Sequence, residues 1–138
     1  MYKRQAADYA RIGLSLKAHP VSLVRKQLRT RRALSASELG QRPHDARVRV
    51  AGLVTVRQRP GTASGVTFVT LEDETGIVNL VIWLRVAEAQ RRILLESRLL
   101  GVDGHVQRVD GVQHVIAERL HNYNALLGEL TTHSRDFH

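Results

Sequence analysis

The 138-residue sequence has no cysteine, three prolines, and only two phenylalanines, three tyrosines and one tryptophan. Without cysteine, neither a disulfide framework nor a thiolate metal site can form. Aromatics make up 4% of the chain, so each is weighed individually as a candidate for a specific task. No apolar run is long enough to span a bilayer, and no apolar stretch of a secretory signal opens the chain. A soluble, intracellular, cytoplasmic protein with no membrane partner is expected. Catalytic signatures are also missing. There is no Walker loop and no nucleophile elbow, and no two of the seven histidines stand at helical ligand spacing. No metal, no cofactor and no catalysis by this chain alone are expected.

What the sequence does have is positive charge, unevenly placed. The net charge is +8. Residues 1–49 hold 12 lysines and arginines against 3 acids, whereas residues 50–120 hold 8 of each. A basic arm precedes a neutral body, and such an excess favours polyanions through counterion release. The length suits one domain with an appendage.

The pattern of the chain divides it into three parts. Residues 1–46 form a basic helical segment and linker. Ala6 to Ile12 reads as a short helix. "PVSLVRKQLRTRRAL" reads as an amphipathic helix, with Val21, Val24 and Leu28 on its apolar side. Its polar side carries Arg25, Lys26, Arg29, Arg31 and Arg32. "SASELG" carries a serine N-cap, a glutamate three residues on, and a stop at Gly40. From Arg47 to Leu120 the period changes to two. In "RVRVAGLVTVR", Val48, Val50, Val54 and Val56 share one parity, and Arg47, Arg49, Thr55 and Arg57 share the other. "GVTFVTLED" and "GIVNLVIW" are two more strands around a "DETG" turn. "LRVAEAQRRILLES" is helical, with Val86, Ala89, Ile93 and Leu94 on one side. Two last strands meet across Asp110-Gly111, a strong hairpin signal. Residues 121–138 form a short helix and tail with Leu126, Leu127 and Leu130 on its apolar side. The order β-β-β-α-β-β is that of an OB-fold, a five-stranded Greek-key barrel. The predicted class is mainly β with flanking helices. SH3-like barrels lack the long helix before strand four.

An OB-fold binds ligands on the outer face of strands two and three and on adjacent loops. Parity turns Val78, Leu80, Ile82, Val69 and Leu71 inward, leaving Phe68, Thr70 and Asn79 outward. Phe68 is then available for stacking on a base, unless it is buried under the N-terminal helices or another domain. Asn79 is placed to reach a base edge. Arg47, Arg49 and Arg57 would supply phosphate contacts. Arg59 would reach from the loop "RQRPGTASG", where Pro60 limits the backbone and Gly61 and Gly65 permit close approach. Trp83, at a strand end, either closes the core or stacks. "LEDETG" concentrates Glu72, Asp73 and Glu74, which a solvated hairpin turn explains better than a metal site. His105 and His114 lie in facing strands and are expected to pair on the surface.

"RQRPGTA-G" followed by "F-TLEDETG--N" resembles the C-terminal OB-fold region of bacterial error-prone DNA polymerases of the C family, relatives of the replicative polymerase III alpha subunit. The likeness runs back through "DYARIGLSLKAHPVSLVRKQL" and forward to "SRDFH". It implies an OB-fold module that binds single-stranded DNA template during translesion or SOS mutagenic synthesis, within a parent DNA-directed DNA polymerase whose metal-binding aspartates lie elsewhere. Its implied partners are single-stranded DNA, the rest of the parent polymerase and an accessory mutasome protein similar to a Y-family polymerase. A more distant likeness is to the anticodon-binding OB-folds of class II aminoacyl-tRNA synthetases. These carry a phenylalanine where Phe68 falls and an amide where Asn79 falls, both contacting anticodon bases. Two other readings follow from the residues: a protein-docking module using the sheet face or the leucine-bearing C-terminal helix, and a stand-alone RNA- or tRNA-binding OB protein.

Overall fold

A computed structural model describes residues 19–59 and 65–128. The expected helix at Ala6 to Ile12, the loop residues Pro60 and Gly61, and Leu130 lie outside the described residues. Three short helices come first: α1 (Pro20–Leu23), α2 (Arg25–Thr30) and α3 (Ala36–Leu39). The single amphipathic helix read from the sequence is thus divided, because the chain turns at Val24 before α2 begins. The α3 cap is the one expected: Ser35 Oγ accepts from Glu38 N–H while the Glu38 carboxylate accepts from Ser35 N–H.

Five strands then close a barrel in the order β1-β2-β3-β5-β4. They are β1 (Arg47–Gln58), β2 (Thr67–Asp73), β3 (Gly76–Ile82), β4 (Leu99–Val109) and β5 (Val112–Asn122). Helices α4 (Leu84–Ala89) and α5 (Arg91–Glu96) lie between β3 and β4. A last short helix, α6, covers residues 124–128. This is the OB-fold the element order implied. The helix between β3 and β4 is interrupted at Gln90. Its amide accepts from Leu120 N–H and donates to Glu118 O, pinning the break to β5. Val86, Ala87 and Leu94 face the core, while Ala89 is exposed.

Parity sets the interior. Val48, Val50, Val69, Leu71, Val78, Leu80, Ile82, Val102, Val106 and Val115 fill the barrel. Burying each aliphatic side chain contributes about 1.5–3 kcal/mol. The β4–β5 hairpin closes on Asp110 and Gly111, both at positive φ (54° and 78°), the requirement of a two-residue primed turn.

A second apolar cluster lies outside the barrel. Val21, Val24, Leu28 and Ala33 from the N-terminal segment pack with Ala51, Leu99 and Leu126. Outward positions of β1 and β4 are therefore roofed by α1, α2 and α6. This explains why alternation fails at Ala51 and Gly52, where both neighbours are buried.

Candidate nucleic-acid interface

Strands β1, β2 and β3 present the outer face on which most of the expected residues were placed. In the β2–β3 ladder Thr70 stands opposite Asn79, and Phe68 opposite Val81. Phe68 and Asn79 are diagonal neighbours on one surface, within reach of the same ligand. Phe68 is 40% exposed, because the N-terminal helices roof β1 and β4 instead. Asn79 is exposed and makes no side-chain hydrogen bond among the described residues. Val81 shares that outward side but is covered by Val66 and Ile116. The register continues from Val81 to Ile116 on β5.

A bulge changes the basic stripe expected along β1. Val54 pairs with Leu71 and Val56 with Thr70, so the extra residue is Thr55. Parity flips there. Val56 emerges on the outer face, 42% exposed, in a row with Thr70 and Asn79. Arg57 is displaced from the outer face where parity had put it. Its Nε donates to Leu94 O at 3.0 Å and its Nη2 to Ser97 O at 2.7 Å. It caps the carbonyl end of α5, where a cation is electrostatically favoured. Gln58 takes the place beside Phe68.

Arg47 and Arg49 also sit elsewhere than beside Phe68. They lie on the half of β1 that pairs with β4. Arg49 holds Asp103 with two bonds (2.5 and 3.0 Å), and Asp103 also meets His121 Nε2 at 3.1 Å. Hydrogen bonding from Arg49 keeps the Asp103 carboxyl below the usual range, against the opposing effect of burial. Arg47 pairs with Glu118 at 2.7 Å, and His105 Nδ1 meets the other Glu118 oxygen at 2.8 Å. His105 first, then Arg47, lowers the Glu118 pKa. Much of the basic stripe is thus internally balanced. The expected His105–His114 pairing does not form. Ile116 stands opposite His105, and Gln107 opposite His114.

Cations without an ion pair among the described residues remain near the sheet. Arg59 and Arg91 line a cavity of about 190 Å³ beside Gln58, Thr67 and Leu94. Arg85 lies by Trp83 in a separate groove. Arg85 and Arg91 went unread in the sequence because helical charge there looks like ordinary solvated surface. Trp83 does not close the core. It occupies the N-cap position of α4 and is 49% exposed.

"LEDETG" forms the β2–β3 turn, but not a solvated one. Asp73 is 5% exposed. Its Oδ1 accepts from Thr75 N–H, Thr75 Oγ1 and Gly76 N–H, and its Oδ2 from Ala36 N–H and Arg25 Nη2. Arg25 also grips both oxygens of Glu74 at 2.8 and 2.9 Å. Burial pushes the Glu74 pKa up, but the Arg25 hydrogen bond, a backbone N–H bond and the nearby positive charge of Arg25 together outweigh it, leaving the group below the ordinary range. These acids join the N-terminal helices to the barrel. Sequence periodicity carries no signal for a contact between residues so far apart.

A closed five-stranded barrel in the order β1-β2-β3-β5-β4, with helices between β3 and β4, defines the OB class of nucleic-acid-binding domain. The chain belongs to the family described as "OB-fold nucleic acid binding domain", which matches residues 48–122. It is 56% identical over 132 residues to the error-prone DNA polymerase of Xanthomonas oryzae pv. oryzae. It is 54% identical over the same length to that of Pseudomonas paraeruginosa. Each match takes in 96% of this chain but only 12–13% of the relative, so the chain spans about an eighth of these proteins' length. Among solved structures, asparaginyl-tRNA synthetase from Pyrococcus horikoshii complexed with asparaginyl-adenylate is similar at a TM-score of 0.56 and 26% identity. That match covers 66% of this chain and 22% of the synthetase.

Proposed function

We propose that this chain is the OB-fold module of an error-prone DNA polymerase, and that it holds single-stranded DNA template during translesion or mutagenic synthesis. The observation that carries the reading is the exposed Phe68 beside Thr70 and Asn79, in a chain so similar to error-prone polymerases. A base stacks on Phe68 while the Asn79 amide, without a side-chain hydrogen bond among the described residues, reaches its edge. Val56 and Gln58 extend this surface across β1. Arg59, Arg85 and Arg91 supply the phosphate contacts, with Arg47 and Arg49 contributing only where a phosphate competes for their carboxylates. The polymerase chemistry belongs to the parent protein outside this segment.

Docking of an accessory mutasome protein on the leucine side of the tail has less support. Leu126 is buried against Val21, Val24 and Leu28. The likeness to a tRNA synthetase supports nucleic-acid binding and leaves the sugar to experiment.

Fluorescence anisotropy with labelled oligonucleotides at two salt concentrations tests the reading. Single strands should bind more tightly than duplex, and more weakly at higher salt. Phe68→Ala should weaken binding by roughly five- to hundredfold, the value of one stacked base. An unchanged affinity removes Phe68 from the site. Stronger binding to an equal-sequence ribo-oligonucleotide replaces the DNA reading with an RNA one.

A further inference from the structure

The outer face does not end at Phe68. The row Gln58–Phe68–Val81 continues onto Ile116 of β5. Beyond it lies a groove of about 530 Å³ lined by Trp83, Arg85, His105, Gln107, Ile116 and Glu118. Its composition suits one further nucleotide. Trp83 offers an exposed indole. Ile116 provides an apolar floor joined to the Phe68 row through Val81. Arg85 and Gln107 bring a guanidinium and an amide with no bonds to other described residues. Glu118 is the groove's one acid, and it would repel a phosphate if left bare. Arg47 and His105 hold its two oxygens.

We infer that this groove is a second nucleotide subsite, in which a base stacks on Trp83, Arg85 meets the adjoining phosphate and Gln107 reaches the base edge. The bound strand then runs from the Phe68–Asn79 face across the β3–β5 seam to the α4 N-terminus. The inference rests on the proposed binding of single-stranded nucleic acid, and adds a path and a second stacking platform to it. It also gives the exposed tryptophan a use that neither the core nor the helix supplies. A strand contacting both platforms should bind more tightly than one long enough for the Phe68 face alone.

Trp83 is the single tryptophan of the chain, so its emission reports on this groove. Oligo-dT of two, four and eight nucleotides would be titrated into the protein, with tryptophan emission and the anisotropy of a labelled octamer both followed. The subsite requires quenching that saturates with octamer binding and is absent or weak with the dinucleotide. Trp83→Ala should weaken octamer binding by roughly five- to hundredfold, while Trp83→Phe should restore most of the loss. Arg85→Ala should lower both affinity and salt dependence. If the octamer binds with Phe68-dependent affinity while Trp83 emission and the Trp83→Ala affinity stay unchanged, the groove is not a subsite, although the sheet-face reading survives. Absence of any oligonucleotide binding removes both.

Discussion

Replacing Asp73 by asparagine tests the contact that joins the N-terminal segment to the barrel. Asparagine keeps the volume and one carbonyl oxygen, so cavity effects are small. If that oxygen keeps the turn bonds to Thr75 and Gly76, the amide NH2 faces Ala36 N–H and the Arg25 guanidinium. Both are donors. Two bonds to a charged acceptor are lost, each worth about 1.5–3 kcal/mol. Ala36 N–H, an orphan donor in the first turn of α3, is left unpaired. Glu74 still holds Arg25, which limits the damage. The expected loss is about 3–5 kcal/mol, in the range for breaking a buried ion pair and a large share of a domain's usual 5–15 kcal/mol. Urea unfolding followed by circular dichroism measures it as a lower midpoint at unchanged slope. Oligonucleotide affinity of the folded variant should hold, since Asp73 lies at the far end of β2 from Phe68. A loss below about 1 kcal/mol would refute the reasoning, because Asp73 would then be an ordinary solvated turn residue.

Two further outcomes follow from the barrel. Gly104 lies at a β4–β5 bulge, where an added Cβ would collide with the Ile116 backbone carbonyl. Gly104→Ala should therefore cost about 1–3 kcal/mol or more by thermal unfolding, and a neutral result would mean the strands can separate locally without penalty. Asp103 and Glu118 have folded pKa values below their unfolded ones, Asp103 chiefly through Arg49 and Glu118 chiefly through His105. Their contribution is complete above the ordinary carboxylate range and is lost as pH falls through their lowered folded values. Urea midpoints should drop over that acid window, and Asp103→Asn should flatten the drop. An identical acid slope in wild type and variant would show that other carboxylates control it.

Particular residues show how far a sequence alone can be read. Val78, Leu80 and Ile82 were legible as core because strand parity is strict over short, unbroken ladders. Ser35 and Glu38 announced their helix cap, and Asp110-Gly111 their hairpin, because both are local. Phe68 and Asn79 could be placed on one face because they lie on adjacent strands joined by a short turn. Arg57 could not be placed, because a bulge at Thr55 leaves no mark in an alternating pattern of valines and arginines. Arg47 and Arg49 read as free cations because Glu118 and Asp103 are over fifty residues away.

The sequence by itself determined the order of strands and helices, the inward set of the barrel and the outward aromatic, since these depend on local period and short turns. Tertiary structure alone decided which cations are left to meet a ligand, that the "LEDETG" acids anchor the N-terminal helices, and that Leu126 is buried. Each depends on side chains brought together from distant parts of the chain, where charge is cancelled or surface covered only after the barrel closes.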